Sequence, residues 1–157
     1  FEDNLTHQTG ANFGWQVTTS GQAQIGVDTS HGHESDRSLR ILFQVRTKLE
    51  AVDISQLVLV APSTQYELEF YVKTQKVESA ETPAVAIFDA TDGTALASSA
   101  SAPAGSNDWE RVTISFKTGA RTEAVTLRLV RGSCGTDTPC PIFGTVWYDD
   151  FTLKSSR

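Results

Sequence analysis

The chain has no methionine and only two cysteines among its 157 residues. No apolar run in it approaches the roughly 20 residues a membrane helix needs, so no membrane partner is expected. Positive charge is also scarce: 13 Lys and Arg stand against 19 Asp and Glu, for a formal net charge of −6. A phosphate backbone repels such a chain, which argues against nucleic acid as a partner. There is no Cys-x-x-Cys and no histidine close to either cysteine, so zinc is not expected. Gly-x-Ser-x-Gly, P-loop and zinc-protease motifs are missing as well. No window of useful length keeps the period of an amphipathic helix. With no opening methionine and no signal peptide in view, the chain reads as a mature or excised piece of a longer protein.

What remains is strand composition. At 39% hydrophobic and 20% charged, the chain has the balance of an ordinary folded protein, and its length suits one domain over residues 1–157. Short alternating segments separated by Gly, Ser, Asn and Pro recur throughout. In residues 38–45, Leu39, Ile41, Phe43 and Val45 share one face, and Arg40, Leu42, Gln44 and Arg46 the other. In residues 66–73, Tyr66, Leu68, Phe70 and Val72 face inward, leaving Glu67, Glu69, Tyr71 and Lys73 outward. Val112, Ile114 and Phe116 alternate with polar residues, as do Val125, Leu127 and Leu129. Asp92-Gly93 reads as a turn that returns residues 94–97 as a hairpin partner. About ten such strands predict an all-β fold, an antiparallel β-sandwich of the jelly-roll kind.

The chain's focal stretch is residues 144–153. Trp147, Phe151 and Leu153 share a parity and are expected in the core, and Asp149 falls on that same parity. A bare carboxylate on a buried face costs several kcal/mol unless it is paired or bound to a cation. Either a bulge or strand end turns Asp149 to solvent, or a structural cation holds it. The cation needs a second acidic residue, and Glu2 supplies one. Tyr148 is outward by parity. Cys134 and Cys140 flank Gly-Thr-Asp-Thr-Pro, a turn-rich loop. They form either a disulfide, contributing about 2 kcal/mol and favouring an oxidising compartment, or two free loop thiols.

The order of these pieces resembles the β-jelly-roll carbohydrate-binding modules of the family 4, 9 and 22 type, a galactose-binding-domain-like fold. The matching pieces run from Phe1-Glu2 and Gly14-Trp15 through Arg37-Ser38-Leu39 and Gln56, the last ahead of a strand ending at Pro62. They continue with residues 66–73, Trp109-Glu110-Arg111-Val112, Leu127-Arg128-Leu129 and residues 147–153. The resemblance implies a structural Ca2+ bound by Glu2 and Asp149, joined by backbone carbonyls from the loop between Asp28 and Arg37. It also implies a non-catalytic module, secreted or at the cell surface, that binds a polysaccharide or oligosaccharide beside the other domains of a parent chain. The usual ligand surface of such modules is the concave sheet face.

On that face an exposed aromatic stacks on a sugar ring while polar neighbours take its hydroxyls. Tyr71, Glu69, Lys73, Arg40, Gln44 and Arg128 have the parity to line it, with Tyr71 as the stacking platform. Trp15, Trp109 and Trp147 are expected in the core. His31 and His33 read as parts of a solvated loop, and His7 stands alone. Glu67 and Glu69 share a side as a glycosidase pair would, but the chain is short for that activity and shows no cleft signature. Asn4-Leu5-Thr6 matches a glycosylation sequon. The competing expectation is a protein-interaction or structural accessory domain on the same fold.

Overall fold

A computed structural model describes residues 14–19, 23–44, 52–135 and 140–156. Among the described residues ten strands run in order: β1 (Gln16–Thr19), β2 (Ala23–Asp28), β3 (Ser38–Phe43), β4 (Val52–Leu59), β5 (Gln65–Glu78), β6 (Ala84–Asp89), β7 (Ala95–Ser98), β8 (Gly105–Lys117), β9 (Ala124–Val130) and β10 (Phe143–Ser156). They form two antiparallel five-stranded sheets, β1-β4-β9-β6-β7 (sheet A) and β2-β3-β10-β5-β8 (sheet B). The all-β sandwich read from the alternation is the fold. β10 lies between β3 and β5, so the last strand is the centre of its sheet.

The core is built from the parities read in the sequence. Leu39, Ile41 and Phe43 from β3 and Leu68, Phe70 and Val72 from β5, on either side of β10, belong to one cluster, all at 3% exposure or less. Val85 and Ile87 from β6 and Val125 and Leu127 from β9 close over them from sheet A. Each such side chain contributes about 1.5–3 kcal/mol by leaving water. Val45 lies outside the described residues.

Parity fails in β10. Asp149 stands opposite Tyr71, but Thr152 stands opposite Glu69, so three steps along β10 match two along β5. The extra residue is Asp150, whose φ of 51° is left-handed, a conformation Asp tolerates better than most side chains. This bulge reverses the strand's facing. Phe151 packs inward, stacked on Phe70 at 4.9 Å, while Trp147 and Asp149 lie on the outer face beside Lys73 and Tyr71. Trp147 and Asp149 therefore do not share the face of Phe151 and Leu153, contrary to the simple alternation. Tyr148 is likewise the reverse of its expectation, an inward residue at 1% exposure.

A second irregularity corrects Trp109. Val72 pairs with Glu110 and Thr74 with Asn107, so β8 gains a residue on β5 there. Trp109 is only partly buried, with its ring 6.0 Å from Lys73 Nζ and 5.8 Å from the His33 ring, on the outer side of the sheet. Trp15 behaves as expected, packing edge-on against Phe151 at 4.9 Å.

Candidate functional site

The six residues expected to meet a ligand divide between the sheets. Arg40 and Lys73 both lie opposite Trp147, while Tyr71 lies opposite Asp149 and Glu69 opposite Thr152, so these four share the outer face of sheet B. Gln44 follows the end of β3 and is exposed. Arg128 belongs to β9, in the other sheet. It cannot share a face with Tyr71, because alternation fixes a side chain's direction only within its own sheet. Lys73 Nζ lies 3.5 Å from Asp108, and Arg111 Nε donates to Glu69 Oε2 at 2.8 Å.

The loop between β2 and β3 roofs the middle of the sheet B face. Thr145, Trp147 and Asp149 point outward, yet their exposures are 6%, 4% and 1%. The Trp147 indole donates from Nε1 to Asp28 Oδ2 at 2.9 Å and lies beside the His31 ring. Ser30 donates to Asp28 Oδ1 from both its amide and its hydroxyl, and His31 Nδ1 is 3.1 Å from Oδ2. Burial raises the Asp28 carboxyl, and the bonds from Trp147, Ser30 and His31 outweigh it, holding the group well below the ordinary carboxylate range.

One turn further on, the His33 amide donates to Asp149 Oδ2 at 2.9 Å, and the Asp150 amide donates to Asp149 Oδ1 at 2.9 Å. The His33 ring lies 2.8 Å from Asp150 Oδ2 through Nδ1 and stacks on Tyr71 with centroids 3.7 Å apart. The expected sugar platform therefore already carries a ring of this chain. His31 is exposed, as a solvated loop residue would be, whereas His33 is tucked into the roof; the signal that would have placed it is a run of Asp, Ser and His just ahead of a strand pairing with β10. Two depressions flank the roof. Glu69, Tyr71 and Asp150 line one of about 440 Å³. Lys73, Asn107 and His31 line the other, of about 390 Å³.

The outer face of sheet A is different. Gln16, Ser55, Arg128, Ala86 and Ser98 pair in register and form one row across all five strands. Leu57, Thr126 and Phe88 form a neighbouring row. Arg128 Nε sits 3.4 Å from Asp53 Oδ1, with both side chains 48% exposed. Leu59, two residues beyond Leu57, is 66% exposed. This face presents donors, acceptors and apolar C–H surface together, which is the mixture a pyranose ring needs.

A model of the family described as carbohydrate binding domain, covering families 4 and 9, matches residues 1–138. The chain belongs to that family. Three solved structures of carbohydrate-binding modules show the same fold. A CBM4 module superposes with a TM-score of 0.69 at 16% identity, covering 99% of this chain and 96% of the module. The CBM22-2 xylan-binding domain from Paenibacillus barcinonensis Xyn10C gives a TM-score of 0.57 at 14% identity, with 94% of each chain covered. TmCBM61, solved with β-1,4-galactotriose, gives 0.59 at 18% identity, covering 96% of this chain and 94% of that one. No curated protein matches the chain in sequence.

Cys134 and Cys140 of this family member are joined as a disulfide, their Cα atoms 5.1 Å apart. The bond closes a loop fastened to the sandwich by Arg131, which reaches the Cys140 carbonyl at 3.1 Å and the Glu81 carbonyl at 2.9 Å. The Arg131 pKa is lowered by burial. Of the proposed cation ligands, Asp149 is placed as above, and Glu2 lies outside the described residues, as do His7 and the Asn4 sequon.

Proposed function

We propose that the chain is a single non-catalytic carbohydrate-binding module of a secreted or surface protein, holding a glycan against the outer face of sheet A. The observation that carries this is the register row Gln16–Ser55–Arg128–Ala86–Ser98, whose Arg128 forms a half-exposed pair with Asp53. Sheet B's central outward residues are buried under a loop, whereas Arg128 is exposed and Ser55, Leu57, Thr126 and Phe88 are part-exposed. Arg128 and Asp53 would bond equatorial hydroxyls, and Leu57 and Phe88 would meet the apolar ring face. By tethering glycan beside the parent's other domains, the module would raise the local concentration of substrate for a catalytic neighbour. Family membership and the disulfide support an extracellular setting.

One observation favours a second site for the same function. Glu69 and Tyr71 line the 440 Å³ depression on sheet B, where a sugar could reach the edge of the Tyr71 ring. A glycan array on the wild type, Arg128→Ala and Tyr71→Ala separates the two. Loss of at least tenfold in affinity in Arg128→Ala alone, as expected for a hydrogen bond to a charged group, supports sheet A. Loss in Tyr71→Ala alone moves the site to sheet B. A wild type silent across plant, bacterial and animal glycans sinks the sugar reading and leaves a protein-interaction domain using exposed Leu59 and its neighbours.

A structural Ca2+ at Asp149 and Glu2 belongs to the same proposal. Asp149 fits a hard cation by its chemistry: it is a carboxylate at 1% exposure, held against the backbone of the His33 loop. Bound there, the ion would neutralise the buried charge and fix the His33 loop to β10. Melting with and without a chelator tests it, and an unchanged melting temperature with no metal detected by elemental analysis rules it out.

A further inference from the structure

Between the sheets, on the side where β7 passes over to β8, lies a cleft of about 340 Å³. Phe70 and Val72 of β5, Val112 of β8 and Tyr148 of β10 form its inner walls, and the segment from Ser99 to Pro103 forms the outer one. That outer wall is tied down. Ser99 donates its amide to the Val85 carbonyl at 2.8 Å, Ala102 donates to the Pro83 carbonyl at 2.7 Å, and the Thr82 hydroxyl donates to the Ala102 carbonyl. The outer wall is thus anchored to the sandwich at Ser99 and at Ala102.

Tyr148 stands apart from this accounting. Its hydroxyl is buried and has no hydrogen-bond partner among the described residues. Native interiors rarely leave a phenol unpartnered, because desolvating the O–H without replacing water's hydrogen bond is costly. Burial also pushes the phenol's pKa well above its ordinary value, so the group remains a donor at any pH the fold meets. A donor of this kind calls for an acceptor brought from outside. Glu110 and Arg111 both line the cleft, so its rim carries charges of both signs that favour neither an anion nor a cation.

We propose that this inter-sheet cleft binds a small neutral molecule, an aromatic ring or short acyl group carrying one hydrogen-bond acceptor, which takes the hydrogen bond of the Tyr148 hydroxyl. The site lies between the sheets and is separate from both outer faces, so it does not depend on where glycan binds. Phe70, Val72 and Val112 supply the apolar contact and Tyr148 the polar selectivity. A site built around one unpaired donor discriminates strongly against an isostere that lacks the acceptor.

The test is a titration of the folded protein with acetophenone and with ethylbenzene, its near-isostere without the carbonyl, followed by amide chemical shifts. Acetophenone is expected to move amides around Ser99–Pro103 and Val112 and to bind about tenfold more tightly than ethylbenzene. Tyr148→Phe should erase that preference without lowering the melting temperature. Ala102→Leu, which fills the cleft while leaving the phenol, should block both probes. Absence of shifts around the cleft, or a preference that survives in Tyr148→Phe, overturns the proposal. So does a long-lived water detected at the Tyr148 hydroxyl that neither probe displaces.

Discussion

Replacing Trp147 with phenylalanine isolates one bond under the loop roof. The indole is 4% exposed, and its Nε1 donates to Asp28 at 2.9 Å. A hydrogen bond to an ionised acceptor is worth about 1.5–3 kcal/mol, and Asp28, at 11% side-chain exposure, has little water to replace it. Exchanging indole for phenyl in a closed site adds about 1 kcal/mol of cavity cost. The expected loss is therefore about 3 kcal/mol at pH 7, or a fall in melting temperature of roughly 6–12 °C for a chain of this size. Urea unfolding measures it directly. The pH dependence carries a second signature. Because the Asp28 carboxyl is depressed in the folded state, its contribution is present above the unfolded carboxylate range near pH 4 and is lost as pH falls toward the folded value. Without the indole the carboxyl is less depressed and has less to lose. The gap between wild type and variant should therefore narrow below about pH 4. A loss under about 1 kcal/mol at neutral pH, or a gap constant down to pH 2, would refute the bond and the roof built on it.

Other perturbations follow from single positions. Gly144 has φ of 103°, and a Cβ there would stand 2.3 Å from the Lys76 carbonyl oxygen, so Gly144→Ala should cost at least about 2 kcal/mol in thermal unfolding. Replacing both Cys134 and Cys140 with serine opens a loop with a sequence separation of 6 and should remove about 2 kcal/mol, seen as a melting temperature lower by roughly 4–8 °C, as should reduction of the wild type. Arg128→Ala should leave stability within about 1 kcal/mol, since the Asp53 pair is half-exposed, which keeps its binding readout clean.

The sequence was most informative where one face of a strand is uniformly buried. Leu39, Ile41 and Phe43, and again Leu68, Phe70 and Val72, declare their direction because a one-residue slip would put three apolar side chains into water. Residues 147–153 carried no such protection. Their apolar residues suit either side of a bulge, and the left-handed Asp150 that reverses the strand leaves no trace in a hydrophobic alternation. Trp109 was misdirected for the same reason, at an irregular pairing between β5 and β8. The split of Arg128 from Tyr71 was illegible on other grounds. Parity says in or out within a strand, whereas membership of a sheet is decided by pairings far apart in the chain, such as Ser55 with Arg128 and Tyr71 with Asp149. The roof over sheet B depends on a contact of the same kind, His33 to Asp149, separated by 116 residues.

The position of β10 bears on how the molecule is assembled. It is the last of the described strands and the middle strand of its sheet, seated between β3 and β5. Until residues 143–156 leave the ribosome, sheet B is two separate ribbons, β2 with β3 and β5 with β8, each exposing an unpaired edge toward the gap. Sheet A needs no such wait, since every strand it uses is synthesised by Val130. Half the sandwich can form early, while the other half closes in one late step that joins distant segments. Topology of this kind folds slowly, and its hazard during synthesis is another chain's strand entering the slot reserved for β10.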